Sequence, residues 1–179
     1  GDAPGKGPAD APVIVVEFSD LQCPHCKNVA ASLSAVQKAL PQTLRYHFKH
    51  FPMDPACNRI VEGSGHPQAC GAHVAVVCAE RMGKAWQMHD LIFENQHDLG
   101  RDALMGFAGR IGVDVEAFGA CLDDPSALEV VKADIEQGIK LGVPGTPVWF
   151  ANGWREVGAR DAATLQAIIE MRAKQGAAQ

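Results

Sequence analysis

The sequence predicts an α/β fold in which a βαβ unit and a ββα unit are separated by a helical insertion. Three observations predict it: a β-branched apolar run and an alternating apolar–polar run near the start, segments with helical spacing at about 68–141, and an Asn152-Gly153 turn between two short apolar runs. With 179 residues, 47% of them hydrophobic, the chain can bury one core of ordinary density. We therefore expect a single domain over residues 12–175.

The βαβ unit is predicted from residues 13–51. Residues 13–18 form an apolar, β-branched run that predicts a strand buried on both faces, although Glu17 interrupts it with a charge. Residues 27–40 repeat apolar side chains at helical spacing, and residues 44–51 alternate apolar and polar side chains until a proline. The predicted order is strand, helix, strand.

The helical insertion and the ββα unit come next along the chain. Apolar residues at helical spacing predict five helices in the insertion, at residues 69–82, 85–94, 101–111, 116–122 and 126–141. After a hinge rich in Gly and Pro, two strands and a last helix are predicted at residues 148–150, 154–157 and 161–174. The whole chain from residue 12 is thus assigned to one α/β architecture.

The opening residues 1–11 are rich in Gly and Pro and predict a flexible leader. Such a leader is what remains after a signal or membrane anchor has been removed, and a cloning scar at Gly1 fits it equally. The formal charge of −5 is spread over interspersed acidic and basic residues, without a basic stripe. Nucleic acid and membrane surfaces are therefore not expected as partners.

The run Cys23-Pro24-His25-Cys26 lies where the first strand gives way to the first helix. The N–H groups and the dipole at a helix N-terminus stabilise a thiolate, so Cys23 is the predicted nucleophile. Cys26 is predicted to be the more buried sulfur, which attacks a mixed disulfide formed at Cys23. His25 can hydrogen-bond to the Cys23 thiolate or place positive charge beside it, which favours an oxidising potential.

This cysteine pair has two other interpretations, a zinc site and a structural disulfide. Half of a zinc site would need a second close cysteine pair or histidines at ligand spacing, and the other cysteines are scattered. A permanently closed structural disulfide is the remaining alternative. We favour redox chemistry with no metal and no cofactor beyond the Cys23–Cys26 disulfide itself.

Residues 18–26 together with residues 142–147, Gly-Val-Pro-Gly-Thr-Pro, resemble the DsbA-like branch of the thioredoxin superfamily. The resemblance covers nearly the whole chain from Pro12 and implies a thioredoxin fold with a helical insertion. It also implies that Pro147 follows a cis peptide bond and faces the active-site sulfurs, and that Thr146 offers backbone N–H and C=O groups to an extended substrate peptide. An ordinary trans turn proline is the alternative for Pro147.

Glu17 stands six residues before Cys23, where the resemblance implies a buried acid that helps to move the proton of the second cysteine. A carboxyl group desolvated in that strand would have a raised pKa and could act as a proton relay. The alternative is a carboxylate at a strand end paired with a lysine, for which Lys49 is a candidate. Both interpretations can hold at once.

Four further cysteines separate this sequence from the best-known DsbA-like proteins. Residues 54–58, 66–70 and 78–80 resemble thioredoxin-like domains linked to vitamin K epoxide reductase homologues, which implies a quinone-linked membrane reoxidant. Cys70 and Cys78 are eight residues apart on one predicted helix, roughly 12 Å, which is too far for a bond. We favour the structural disulfides Cys57–Cys70 and Cys78–Cys121, and a second redox relay through one pair stays open.

The remaining histidines and aromatic residues show no ligand spacing. We expect structural roles for the histidines, which are His47, His50, His66, His73, His89 and His97. The aromatic residues are expected to fill the core and the helix–sheet contacts, namely Trp86, Trp149, Trp154, Phe93, Phe107 and Phe118.

The predicted function is that of an oxidase in the periplasm or another oxidising extracytoplasmic compartment. It would donate the Cys23–Cys26 disulfide to reduced exported proteins and be reoxidised by a membrane partner of DsbB or vitamin K epoxide reductase type. We expect a monomer, soluble or tethered through a removed N-terminal segment. The alternatives are a reductase or isomerase, which Thr146 favours, a chaperone or binding module without turnover, and a glutathione-dependent transferase or isomerase.

Overall fold

The computed structural model describes residues 5–63 and 65–176 and has the predicted mixed α/β architecture. Its strands are β1 Gly5–Lys6, β2 Val13–Ser19, β3 Leu44–His50, β4 Val148–Ala151 and β5 Trp154–Val157. Its helices are α1 Pro24–Ala39, α2 Ala69–Arg81, α3 Ala85–Glu94, α4 Arg101–Arg110, α5 Val115–Leu122, α6 Pro125–Lys140 and α7 Ala162–Gly176. The order βαβ, helices, ββα is confirmed.

The chain divides into two compact units, and the first contains the sheet. It comprises the residues up to Ser19, Pro24–Lys49 and the residues from Gly145 onward. Its five strands lie in the order β1-β3-β2-β4-β5, with β2 and β4 antiparallel, and helices α1 and α7 pack against one another. The largest buried side chains of this unit include Phe18, Leu33, Phe48 and Trp149.

Strand β2 is buried on both faces only in its C-terminal half. Glu17, Phe18 and Ser19 are all buried, whereas Ile14 is exposed and Val16 is partly exposed. The prediction of a strand buried on both faces is therefore right for the half that precedes Cys23 and wrong for the start of the strand. An apolar run does not reveal which of its positions a neighbouring element covers.

The Asn152-Gly153 turn joins β4 and β5 as a two-residue hairpin loop, since Ala151 pairs with Trp154. Both turn residues have positive φ, 47° at Asn152 and 82° at Gly153, as a type I′ turn requires. The Asn152 side chain also accepts a hydrogen bond from the Ile14 backbone N–H at 2.8 Å. The turn therefore anchors the start of β2 as well as the hairpin.

Trp154 is not a core residue, because it is 61% exposed on β5 at the edge of the sheet. The guanidinium of Arg172 lies over its ring, 4.4 Å from the centroid. An edge strand has only one neighbour, so a tryptophan there need not be covered. The expectation of a core role was wrong for Trp154, whereas Trp149 is fully buried.

Part of the predicted flexible leader is ordered. Residues 1–4 lie outside the described part of the chain, but Gly5 and Lys6 form β1 and pair with His47 and Tyr46 of β3. The Gln37 side chain also donates to the Lys6 carbonyl at 2.8 Å. These are backbone interactions of a short segment without apolar side chains, so hydrophobic patterning does not predict them.

The second unit comprises Asp20–Cys23 and His50–Pro144 and contains helices α2 to α6. Helix α2 packs against α3, α4, α5 and α6, and most of its residues are buried. Disulfides join Cys57 to Cys70 and Cys78 to Cys121, the two pairs that the sequence favours. Loops of this length correspond to about 3 and about 4 kcal/mol of stabilisation in the chain-entropy model. None of the helices in the described residues combines the length and apolarity needed to cross a membrane.

Candidate active site around Cys23

The Cys23-Pro24-His25-Cys26 run lies at the start of α1, whose first residue is Pro24. Proline suits the first helical position, because the N–H that it lacks would have no partner within the helix. Cys23 and Cys26 are separate thiols, 5% and 0% exposed, and His25 is exposed. The cysteine that precedes the helix is therefore the more accessible one, which suits the predicted roles of attacking and resolving thiol.

Asp20 is a fully buried carboxylate that organises the turn before Cys23. Its Oδ1 accepts hydrogen bonds from the backbone N–H groups of Gln22 at 2.6 Å and Cys23 at 3.0 Å. Its Oδ2 accepts from the backbone N–H of Met53 and lies 3.1 Å from Nδ1 of His66. The Asp20 carboxylate thus binds the amide of Cys23 and two residues of the segment that follows β3, Met53 and His66.

Two glutamine side chains hold the same turn. Nε2 of Gln96 donates to the carbonyl oxygens of Leu21 and Cys23, at 2.8 and 3.0 Å. The Gln22 side chain accepts from the backbone N–H of Gln68 at 3.1 Å. Because the turn is bound through its amides, its carbonyls and a side chain, Cys23 is held in one backbone conformation.

Two buried histidines, one of which binds the Leu21 backbone, also hold this turn. Nε2 of His73 accepts a hydrogen bond from the Leu21 backbone N–H at 3.2 Å, and Nδ1 of His73 lies 2.9 Å from Nδ1 of His50. Since His73 Nε2 acts as the acceptor, the His73 ring carries its proton on Nδ1 and donates it to His50. Burial, followed by the charges of His50 and His89, lowers the pKa of His73 well below its ordinary value. His73 is therefore neutral.

Glu17 is fully buried on β2. The hydroxyl of Tyr46, on the neighbouring strand β3, donates to its Oε2 at 2.7 Å. The sequence does not indicate this partner, because Tyr46 belongs to a different strand and its pairing depends on the register of the sheet. A buried carboxyl group that accepts from a phenol can hold or release a proton, as the relay hypothesis requires.

The peptide bond between Thr146 and Pro147 is cis, which is the isomer that the resemblance implies. Pro147 directly precedes β4, and its carbonyl oxygen accepts a hydrogen bond from the Gly158 N–H at 2.9 Å. The indole of Trp149 donates to the Gly158 carbonyl at 3.2 Å. These contacts fix the proline at the start of a buried strand.

Comparison with known proteins agrees with this geometry. The model of the family described as DSBA-like thioredoxin domain matches residues 14–170, which is most of the chain. The chain belongs to this family. Membership makes it a thiol-disulfide oxidoreductase domain.

Solved structures share the fold of this DSBA-like domain at low sequence identity. A thioredoxin-like oxidoreductase from Silicibacter pomeroyi superimposes with a TM-score of 0.81 at 23% identity, over 96% of this chain and 92% of that one. The thiol-disulfide exchange protein alpha-DsbA2 from Wolbachia pipientis gives 0.78 at 20% identity, over 94% and 86%. The catalytic domain of Proteus mirabilis ScsC gives 0.79 at 20% identity, over 96% and 89%.

Curated relatives of the DSBA-like domain are longer proteins. A Na(+)/H(+) antiporter NhaA from Herminiimonas arsenicoxydans is 33% identical over 165 residues, 92% of this chain and 25% of the antiporter. The protein named Na(+)/H(+) antiporter NhaA 1 from Salinispora arenicola is 32% identical over 166 residues, 92% and 24%. The chain thus spans about a quarter of the length of these relatives. The link to vitamin K epoxide reductase homologues stays a prediction.

The residues that hold the turn before Cys23 were not singled out by the sequence. Asp20 belongs to the recognised motif, but its burial and its bonds to Met53 and His66 follow from the tertiary fold. Gln96 has no motif around it at all. Within residues 5–63 and 65–176, no group of three or more His, Cys, Asp or Glu side chains is arranged to hold a metal ion.

The neutral, buried His73 predicts a loss of stability of the DSBA-like domain in weak acid. The unfolded state takes up a proton on residue 73 below its ordinary pKa of about 6.5, whereas the folded state does not, because its His73 pKa is lowered. Stability is therefore complete above about pH 6.5 and falls below it, with a slope approaching about 1.4 kcal/mol per pH unit. Asp134 of α6 accepts a hydrogen bond from the backbone N–H of the neighbouring His50 at 3.1 Å.

Denaturant unfolding between about pH 5 and 8 checks this prediction. His73→Gln keeps an acceptor for the Leu21 N–H without the titrating ring, so its stability should depend less on pH than that of the parent. His97→Gln is the matched control, since His97 is exposed on the same unit. If the stability of the parent and that of His73→Gln depended equally on pH, the assignment of His73 as a neutral buried ring would be contradicted.

Proposed function

We propose that this DSBA-like domain is an oxidase that donates the Cys23–Cys26 disulfide to reduced exported proteins. The observation that carries the proposal is the pair of cysteines at the start of α1, of which the first is 5% exposed and the second is fully buried. A helix N-terminus stabilises the thiolate of the first cysteine, which makes the reduced form the favoured one and the disulfide a good oxidant.

Disulfide transfer then takes place in two exchange steps. A substrate thiolate attacks the Cys23 sulfur, the bond between Cys23 and Cys26 breaks, and Cys26 leaves as a thiolate that takes up a proton. A second substrate thiolate attacks the mixed disulfide and releases Cys23. The substrate gains one disulfide and loses two thiol protons, while the domain gains two electrons and becomes a dithiol.

Three further residues have proposed roles in this reaction. Glu17 passes a proton to and from Cys26, which its burial and its bond to Tyr46 support. Thr146 and Pro147 hold an extended substrate segment through backbone hydrogen bonds, which is the role that the resemblance to DsbA-like proteins implies. His25 is proposed to stabilise the Cys23 thiolate from the exposed side of the motif.

The proposed compartment is the periplasm or another oxidising space outside the cytoplasm. The disulfides Cys57–Cys70 and Cys78–Cys121 support it, because structural disulfides persist mainly where the surroundings are oxidising. The proposed reoxidant is a quinone-linked membrane protein of DsbB or vitamin K epoxide reductase type, and the domain is proposed to be monomeric. Relatives named as antiporters are compatible with a domain that is tethered to a membrane.

A reductase or isomerase is the second candidate, and Thr146 favours it. The resemblance that identifies the cis-proline also places threonine before it in isomerising relatives. Such an enzyme would use the dithiol rather than the disulfide as its working form.

The equilibrium between the Cys23–Cys26 pair and a glutathione buffer tests the proposal. A reduction potential of roughly −180 mV or higher is expected for an oxidase, and a value near thioredoxin's roughly −270 mV would make the reductase hypothesis the better one. Free thiols counted by mass spectrometry at each step should change by two. A Cys23→Ser, Cys26→Ser double variant gives the matched baseline, in which the other four cysteines stay oxidised throughout.

A further inference from the structure

His66 and the Cys23 backbone are held by the two oxygens of the same buried carboxylate. Oδ1 of Asp20 accepts from the Cys23 N–H at 3.0 Å, while Oδ2 lies 3.1 Å from Nδ1 of His66. The Asp20 side chain is fully buried and the His66 side chain is 33% exposed. The imidazole is thus fixed at the nucleophile's end of the turn and can still exchange protons with water.

The segment that carries His66 is held in place by contacts beyond the one between its ring and Asp20. The disulfide Cys57–Cys70 closes the loop around it, and the His66 N–H donates to the Met53 carbonyl at 2.7 Å. Gly65, at φ +42°, brings its Cα so close that a Cβ would lie 2.2 Å from the same carbonyl oxygen. His66 therefore has a defined position on Asp20 before any substrate binds.

The charges around Cys23 give His66 a specific role. A buried Asp20 carboxylate next to a thiolate would by itself disfavour the thiolate, because like charges repel in a poorly solvated site. A protonated His66 on Oδ2 compensates that charge. The hydrogen bond that His66 donates to Asp20 raises the pKa of His66, burial lowers it, and the negative charges of Asp20, Cys23 and Asp54 raise it further.

We propose that His66 is a positioning residue for the nucleophile: its imidazole, held by Asp20, takes up a proton when the Cys23–Cys26 disulfide is reduced, and the imidazolium so formed stabilises the Cys23 thiolate. The inference deepens the proposed function, because it concerns regulation of the same cysteine by pH. The inference applies whether the domain oxidises or reduces its substrates. The inference can therefore fail while the oxidase proposal stands, and the oxidase proposal can fail while the inference stands.

The coupling between protonation of His66 and reduction of the Cys23–Cys26 disulfide follows from the balance of the redox step. Two glutathione thiols reduce the disulfide to the Cys23 thiolate and the Cys26 thiol, and they release glutathione disulfide and one proton. The thiolate is a negative charge that the oxidised protein lacks, so His66 binds a proton more tightly after reduction and takes up part of the released one. By reciprocity, protonation of the ring favours the reduced protein, so His66 offsets part of the shift toward the disulfide that the released proton causes at lower pH.

Titration of the His66 ring by NMR, in the oxidised and the reduced protein, tests the inference directly. We expect the acid dissociation constant of His66 to be about fivefold or more smaller in the reduced protein, the lower end of usual coupling between sites. The His97 ring, exposed on the same unit, should titrate identically in both forms. Equal constants for His66 in the two redox states would overturn the proposal.

A variant gives the reciprocal measurement. His66→Gln keeps a donor for Asp20 and removes the charge, so its glutathione equilibrium constant should favour the oxidised protein about fivefold or more relative to the parent at pH 6 to 7. The glutathione equilibrium constants of the parent and of His66→Gln should become equal at pH values well above the His66 pKa. His25 is present in both proteins, so their difference isolates His66, and His97→Gln should match the parent at every pH. A difference that does not change with pH would contradict a charge effect.

Discussion

The Cys26→Ser variant of the reduced domain should form a lasting mixed disulfide with glutathione at Cys23, whereas Cys23→Ser should stay unmodified at Cys26. The Cys23 thiolate attacks glutathione disulfide and releases one glutathione thiolate, and without Cys26 no internal thiol can resolve the product. Cys26 is 0% exposed inside the first turn of α1, so in the Cys23→Ser variant no glutathione can reach it. Oxidation of reduced protein substrates should be lost in both variants.

The two variants serve as each other's matched controls, because each removes one sulfur from the same four-residue run. Mass spectrometry of the intact protein after incubation with glutathione disulfide gives the readout, and thermal unfolding shows that both variants fold. Modification of Cys26 in Cys23→Ser at the rate seen for Cys23 in Cys26→Ser would reverse the assigned roles. Parent-level substrate oxidation by Cys23→Ser would remove the catalytic assignment altogether.

Asp20→Ala should lower the free energy of unfolding by about 3–5 kcal/mol, the range for removing one partner of a buried charged network. The variant leaves the N–H groups of Gln22 and Met53 without their acceptor in a buried turn, while the Cys23 N–H keeps only the backbone carbonyl of residue 20, at 3.1 Å. Asp20→Asn should cost about 1–3 kcal/mol, the penalty for a buried donor without a partner. Both aspartate oxygens accept from N–H groups, so the asparagine NH₂ must face a donor in either orientation.

Denaturant unfolding with intact disulfides measures these differences, and Asp10→Asn provides the matched control. Asp10 is exposed, so the same change of charge should shift stability by less than about 0.5 kcal/mol there. If Asp20→Asn were as stable as Asp10→Asn, the carboxylate would not be the acceptor that holds the turn. The order Ala, Asn, parent in rising stability is the specific result expected.

The secondary structure was largely predictable because each element carries a local signal. Helices α2 to α6 agree with the predicted segments to within one or two residues, since apolar side chains recur at helical spacing until a glycine or proline ends the pattern. The Asn152-Gly153 turn has the same local character, because few other residues tolerate positive φ at both positions. Strand β1 has no such signal and was missed.

The candidate site was predictable as far as its chemistry is contained in one short run. Cys23 and Cys26 follow from their spacing at a junction between strand and helix, and the greater burial of Cys26 follows from its place inside the helix. The histidines outside the Cys23–Cys26 run were all expected to be structural, which fits His50 and His73. That expectation did not foresee the contact of His66 with Asp20, 46 residues away along the chain.

The fold class, the Cys23–Cys26 run and the cysteines available for the outer disulfides can be identified from the sequence, because these depend on local periodicity, on spacing and on cysteine content. The groups that surround Cys23 follow from the tertiary fold. A hydrogen bond such as that between Asp20 and His66 depends on where a loop closed by Cys57–Cys70 places its atoms to within a few tenths of an ångström. No pattern along the chain encodes that distance, because packing of the whole helical unit sets it.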